Sequence, residues 1–181
     1  MTRMLGLFLM LGLTMAAYAQ EKQDKKAPVT LRSILLEQLR TTHNSKDWFV
    51  DVNTAVAGLT PEQASWKQGA GNHSVGQLAY HLVFWNEREL VKFKGQKPDQ
   101  FSGNNEETFD KFDAKQWASI QQRLDQVMTE LENVVETADE KQLESWASEI
   151  AHIGTHNAYH TGQIVFVRKL QGSWDPEKGV K

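Results

Sequence analysis

The sequence predicts an all-α fold, a four-helix bundle, and three observations carry that prediction. Apolar residues recur at intervals of three and four along the folded part, with no run of the strict alternation that marks a half-buried strand. Helix starts carry side-chain caps, Thr60 with Gln63 and Ser74 with Gln77, and glycines follow the expected ends at Gly58, Gly95 and Gly172. Beyond the N-terminal segment, roughly 150 residues remain, enough for one domain with a real core.

The first helix is expected over Thr30–Ala57, where Leu31, Leu35, Leu39, Phe49, Val52 and Val56 share one broad face. Gly58 is its stop. Thr60-Pro61-Glu62-Gln63 is a capping box with proline at the first helical position, so a short helix follows. Ser74 opens the second long helix, on which Leu78, His81, Leu82, Trp85 and Glu89 form a stripe opposite Asn86, Glu87 and Arg88. Residues 97–112 read as a loop with one helical turn near Glu106–Phe109. Asp113, with Gln116 three later, starts the third long helix, which has the cleanest period: Trp117, Ile120, Leu124, Val127, Met128, Leu131 and Val135. A turn at Thr137–Glu140 precedes the last long helix, expected from Ser145 to Leu170. Gly154 and Gly162 lie inside that helix, each costing about 1 kcal/mol against alanine, so the close approach of a backbone or ligand is expected there.

Outside the bundle, the chain begins Met-Thr-Arg, continues apolar through Met4–Ala17, and reaches Ala17-Tyr18-Ala19. That is the pattern of a secretory signal peptide over residues 1–19. The apolar run is shorter than the roughly 20 residues a bilayer span needs, so no membrane span is expected after cleavage. The expected organisation is signal peptide 1–19, polar lysine-rich linker 20–29, bundle 30–172 and C-terminal tail 173–181. The expected location is periplasmic or secreted.

Composition excludes several classes. The net charge is -3, which offers no basic footprint for nucleic acid. There is no cysteine, so disulfides, thiolate ligands, a thiol nucleophile and a c-type haem attachment are all ruled out. Any metal must be held by nitrogen and oxygen, which suits zinc, nickel, iron or manganese.

The chemistry concentrates in histidine. Three of the six histidines, His152, His156 and His160, stand at successive four-residue intervals. His156 and His160 fill the stripe made by Ile153, Ile164 and Val167, while His81 lies on the apolar stripe of the second helix. On such stripes each histidine needs its own polar partner, and one shared cation would satisfy all three. Three imidazoles would leave coordination positions open, as in catalytic zinc sites. Spacing alone leaves core histidines and metal ligands both open.

His152 drifts about 40° per four-residue step and reads as a residue beside the ligands or facing solvent. His73 reads as a loop residue. Gln163 either orients a ligand or packs between helices. Trp85 reads as core or pocket wall. Asn157 and Tyr159 are expected to point elsewhere, and nothing in the spacing brings His43 or Trp48 to the cavity. Glu89 and Glu149 share helices with the site, but spacing does not bring them within reach. Asn157 stands where a zincin would have glutamate, which disfavours that peptidase chemistry. No catalytic acid or base is assigned.

The block His-Ser-Val-Gly-Gln-Leu-Ala-Tyr-His81-Leu-Val-Phe-Trp and the block His156-Asn-Ala-Tyr-His160-Thr-Gly-Gln-Ile resemble the two signature blocks of the DinB/YfiT-like superfamily. The resemblance runs in helix order from Leu31 to Gly172. It implies an up-up-down-down or related four-helix bundle of the DinB/YfiT-like type. It also implies a divalent metal site, zinc or nickel ahead of iron or manganese, with His81, His156 and His160 as ligands. Members characterised as enzymes are thiol S-transferases, isomerases of thiol-dependent pathways and putative hydrolases, acting on small molecules, and related bundles often pair as homodimers. Two functions follow as expectations: a metal-dependent hydrolase or thiol S-transferase, or a non-catalytic bundle that binds metal or a small ligand. A bis-histidine haem bundle fits three converging histidines poorly.

Overall fold

Apolar residues at helical spacing produce seven α-helices among the described residues and no strand. The structure, a computed structural model, describes residues 28–179. The signal peptide at 1–19, linker residues 20–27 and the last two residues of the tail lie outside the described residues. The helices are α1 (Leu31–His43), α2 (Val52–Val56), α3 (Pro61–Ser65), α4 (Val75–Phe93), α5 (Glu107–Asp110), α6 (Trp117–Thr137) and α7 (Glu140–Gln171). Two 3-10 turns, Ala114–Gln116 and Pro176–Lys178, complete the secondary structure of the described residues. No described helix is long and apolar enough to cross a membrane.

Four long helices make the bundle. α4 packs on α6 and α7, and α1 packs on the same two. Cross-helix pairs set the directions. Glu87 meets Arg123 and Lys94 meets Glu130, so α4 and α6 run parallel. Arg32 reaches the carbonyls of Glu136 and Ala138 while His43 reaches Asp125, so α1 and α6 run antiparallel. His81 faces His156 and Phe93 stacks near Trp146, so α4 and α7 run antiparallel. The order is up-down-down-up, one of the arrangements related to the up-up-down-down order. Leu82, Leu124, Leu131, Leu143 and Ile164 fill the centre, each fully buried or nearly so.

Local chemistry explains where boundaries depart from expectation. The single first helix expected over Thr30–Ala57 is broken. The N–H groups of Asn44 and Ser45 both turn back to Arg40 O, and the polar run Asn44–Asp47 has nothing to bury. Asp51 then accepts from Thr54 N and starts α2 afresh. Phe49, expected on the buried face, falls in the break and is exposed. At α7 the start lies five residues earlier than expected. Asp139 caps Gln142 N while Gln142 returns a bond to Asp139 N, a capping box hidden in what reads as a turn. The capping boxes at Thr60 and Ser74 form as expected. The start at Asp113 is a 3-10 turn before α6.

Gly154 has the close neighbour expected of it: a Cβ there would stand 3.4 Å from Gln38 Cβ on α1. Gly162 does not, since a Cβ there would meet nothing within 4 Å. The tight glycine is Gly76, where a Cβ would fall 2.2 Å from the Phe112 ring, which lies over the first turn of α4.

Candidate metal centre

The antiparallel pairing of α4 and α7 brings His81 against His156 and His160. His81 sits between Leu78 and Leu82 in sequence and is only 2% exposed. His160 is also buried, and His156 is half-buried. Each ring offers one nitrogen, and the three nitrogens lie within 4.8 Å of one another. Ring centroids are 5.1 Å apart for His81 and His156, and 4.6 Å for each pair that includes His160. Nε2 of His81 is 3.1 Å from Nε2 of His156.

Neighbouring bonds decide which nitrogen of each ring is free. The Thr108 hydroxyl donates to Asn105 O at 2.6 Å. With its proton engaged there, Thr108 Oγ1 accepts from His81 Nδ1–H at 2.5 Å. Nε2 of His81 therefore carries the lone pair. Gln163 donates its amide N–H to the Tyr159 hydroxyl at 3.2 Å, which turns its Oε1 toward His160 Nδ1 at 2.6 Å. Nδ1 of His160 thus donates, and its Nε2 carries the lone pair. Two of the three imidazoles are held as ligands by hydrogen bonds on their far nitrogens, the usual support for a metal-ligating histidine. Among the described residues the His156 ring has a hydrogen bond only with His81.

The charge state agrees with this arrangement. Burial first, and then repulsion from His160, His156 and His73, lowers His81 to about 3. Burial and His156 take His160 to about 4, against the opposing effect of its bond to Gln163. Burial also lowers His156. All three are neutral near pH 7, the form a metal ion requires. Three neutral nitrogen donors converging from two rigid helices, two of them with preset lone pairs, fit a divalent ion.

The surroundings come partly from α5 and from the loop before α4. Phe109 stacks on His81 with centroids 4.0 Å apart, and His73 stacks on Phe109 at 3.9 Å. His73, read as a loop residue, thus walls the site through Phe109. Trp85 meets His81 edge-on at 6.4 Å. Above the histidines lies a cavity of about 620 Å³, which His152, Tyr159 and Gln163 also line. Tyr159, expected to point elsewhere, packs its ring edge-to-face on His160 at 4.9 Å. Asn157 does point away: it is fully buried and accepts from Asn86 Nδ2 at 2.9 Å, tying α7 to α4. Asn86, expected on a charged outer face, is buried with it. His43 lies elsewhere, bonded to Asp125 and Glu132 on α6, and Trp48 is 97% exposed.

Glu89 and Glu149 both line the cavity, but neither bonds to one of the three rings. Thr108 and Phe109 lie on the four-residue α5 and Asn105 just before it, where one helical turn is too short to show a period.

Thr108 gives a direct test of the preset lone pair. Thr108→Val should weaken metal binding by about 10- to 100-fold, the usual cost of losing a partner behind a histidine ligand. Thr108→Ser should restore it. Titration of the metal-free protein with zinc against a competing chelator measures both, and equal affinity for the valine variant and the wild type would refute the role.

A family model described as the DinB superfamily matches residues 50–164. That span holds α2 to α6, all three histidines and most of α7. No curated protein and no solved structure matches the chain significantly.

Proposed function

Since the chain belongs to the DinB superfamily, we propose that His81, His156 and His160 hold one divalent metal ion, and that the cavity above them is the substrate site of a metal-dependent hydrolase or thiol S-transferase. The observation that carries this reading is the far-side bonding of the ligand rings. Thr108 and Gln163 engage Nδ1 of His81 and of His160, which leaves Nε2 of each as the lone-pair nitrogen on the side where the three rings converge. In the metal-free protein His81 Nε2 has only another imidazole, His156 Nε2 at 3.1 Å, as its partner there.

When bound, the ion supplies Lewis acidity toward a water, thiol or carbonyl. The chain supplies the rest. Thr108 and Gln163 hold the tautomers. Phe109 and Trp85 cover two sides of His81 and keep water from its ring. Apart from the three ligand candidates, Glu89, Glu106, Glu149, His73 and His152 are cavity-lining groups able to accept a proton. One observation favours the alternative, a bundle that binds metal or a small ligand without turnover: no carboxylate bonds to any of the three rings. Three nitrogen ligands suit zinc or nickel first, then iron or manganese. The leader-like segment 1–19 supports export, and a chain without cysteine suits an oxidising compartment.

A panel of ester, amide and thiol-transfer substrates, run on wild type and His156→Ala, separates enzyme from binding module. Turnover lost in the variant supports the enzyme. Turnover that persists unchanged refutes this site as its seat, and no turnover by a metal-loaded wild type leaves the binding bundle.

The metal-free protein should also respond to pH in a set direction. Both His81 and His160 titrate lower folded than unfolded, where the ordinary value is 6.5. The unfolded chain therefore takes up protons first as pH falls. The stability these neutral rings contribute is present above about 6.5 and drains away as pH drops toward 3 to 4. Urea midpoints of the metal-free protein should fall across that window, and fall less in a His81→Phe/His160→Phe double variant. Identical pH profiles would contradict the assignment.

A further inference from the structure

The cavity is polarised along the two helices that form it. On α4 the row His81, Trp85, Glu89 steps by four, and on α7 Glu149, His156 and His160 line the same cavity. Because the helices are antiparallel, imidazoles meet at one end and carboxylates at the other. Eight residues separate His81 from Glu89, roughly 12 Å along the helix. Glu106 adds a third carboxylate to the wall, and no lysine or arginine lines the cavity.

Glu89 is the telling residue. It is only 8% exposed, yet it is a carboxylate in a cavity wall. Lys92, half exposed one turn on, engages its Oε1 at 2.5 Å. No described donor bonds to its Oε2. That oxygen is not sealed from solvent, so it stays available to a donor that enters the cavity. Charge adds up the same way: at the far end two carboxylates, Glu89 and Glu149, stand against the single ammonium of Lys92, while Glu106 lies near Thr108 at the imidazole end.

We infer that the cavity takes an elongated small molecule that presents a metal-binding group to the three histidines and a cationic nitrogen to Glu89 and Glu149, with its apolar middle against Trp85. The inference rests on the metal site proposed above and adds the class of ligand that fits it. Trp85 supplies a flat apolar surface between the two ends, suited to an alkyl or aryl spacer and to the edge of a cation. A ligand with an anionic far end would meet the carboxylates and be repelled. A short one would leave them unanswered.

The test uses thiols as metal-binding probes on zinc-loaded protein, with metal content measured first. The probes are 8-mercaptooctylammonium, 8-mercapto-1-octanol, 8-mercaptooctanoate and the short 2-mercaptoethylammonium, each titrated by calorimetry. The long ammonium should bind about tenfold more tightly than the alcohol, as one charge-assisted hydrogen bond allows. The carboxylate should bind more weakly than the alcohol, and the short ammonium should lose the preference. Glu89→Gln and Glu149→Gln should each shrink the ammonium preference several-fold and leave the alcohol unchanged. Equal affinities for the three long thiols overturn the inference while leaving the metal site intact. If zinc loads and no thiol binds, the inference is overturned while the metal site stands; if no zinc loads, the metal reading fails, and hexylammonium against 1-hexanol on the metal-free protein tests the carboxylate end alone. A preference for the ammonium that Glu89→Gln removes sustains that end; no preference overturns it.

Discussion

His81→Ala is expected to reduce the protein from about one bound divalent ion per chain to none after dialysis. The magnitude follows from topology. His156 and His160 share α7, so they alone offer two nitrogens one turn apart, a half-site. His81 is the one candidate ligand from the facing helix, and it would close the site. Its removal also takes from Thr108 Oγ1 its donor and from Phe109 one of the two rings it stacks on. The ion should also stabilise the wild type. At a free metal concentration a thousandfold above its dissociation constant, the gain is about 4 kcal/mol. For a domain of this size that is a rise in melting temperature of roughly 8 to 16 °C. His81→Ala should show none of that rise, and His160→Ala should match it. Elemental analysis and thermal melts with and without zinc read both quantities. Full stoichiometry in both variants would sink the three-histidine assignment. A circular dichroism spectrum unchanged from wild type keeps loss of fold apart from loss of metal.

The part of this site legible in the sequence is the part written in helical periods. His81 is found because Leu78, Leu82 and Trp85 fix its face, and His156 and His160 because Ile153 and Ile164 fix theirs. The same periods mislead where a side chain finds a polar partner instead of solvent. Asn86 reads as surface beside Glu87 and Arg88, yet it is buried, because its Nδ2 donates to Asn157 Oδ1 inside the core, while Asn157 Nδ2 has no described partner. The break after His43 has the same origin. His43 is fully buried with Glu132 and Asp125 on its two ring nitrogens, and Asn53 bonds to the same Asp125 from α2. That cluster pins the end of α1 and the start of α2 to α6, which no apolar pattern announces. The wall made by Thr108 and Phe109 was hidden for a different reason. A contact between the single turn of α5 and a helix residue 27 positions away in sequence leaves no mark in local spacing.

The fold and the site are separable, and Arg168 is where that separation can be measured. Arg168 is 3% exposed at the last turn of α7. Its Nη1 donates to the carbonyls of Ala55 at 2.6 Å and Ala57 at 3.1 Å, closing the end of α2. Its Nη2 donates to Ser173 O at 2.8 Å, and the guanidinium lies over Trp174 at 5.2 Å. One side chain thus ties the break after α1 to the C-terminal stop at Gly172. Arg168→Met keeps the apolar stem but leaves buried carbonyls without a donor. The expected loss is about 3 kcal/mol or more, since hydrogen bonds from a charged donor contribute about 1.5 to 3 kcal/mol each and an unpaired buried carbonyl adds its own desolvation cost. The surface pair Lys94–Glu130 is the contrast. Lys94→Ala should cost less than about 1 kcal/mol, the usual range for an exposed ion pair. Urea denaturation of the three proteins reads the difference, and a loss below 1 kcal/mol for Arg168→Met would contradict the role given to this residue. Metal stoichiometry should stay at about one ion per chain in Arg168→Met. The ligand-bearing turns at His156 and His160 lie two to three turns away and are held by Gln163, Asn157 and the α4 contact instead. A variant that loses stability and metal together would show that the bundle end and the histidine site are one cooperative unit, and that the site depends on the far end of its own helix.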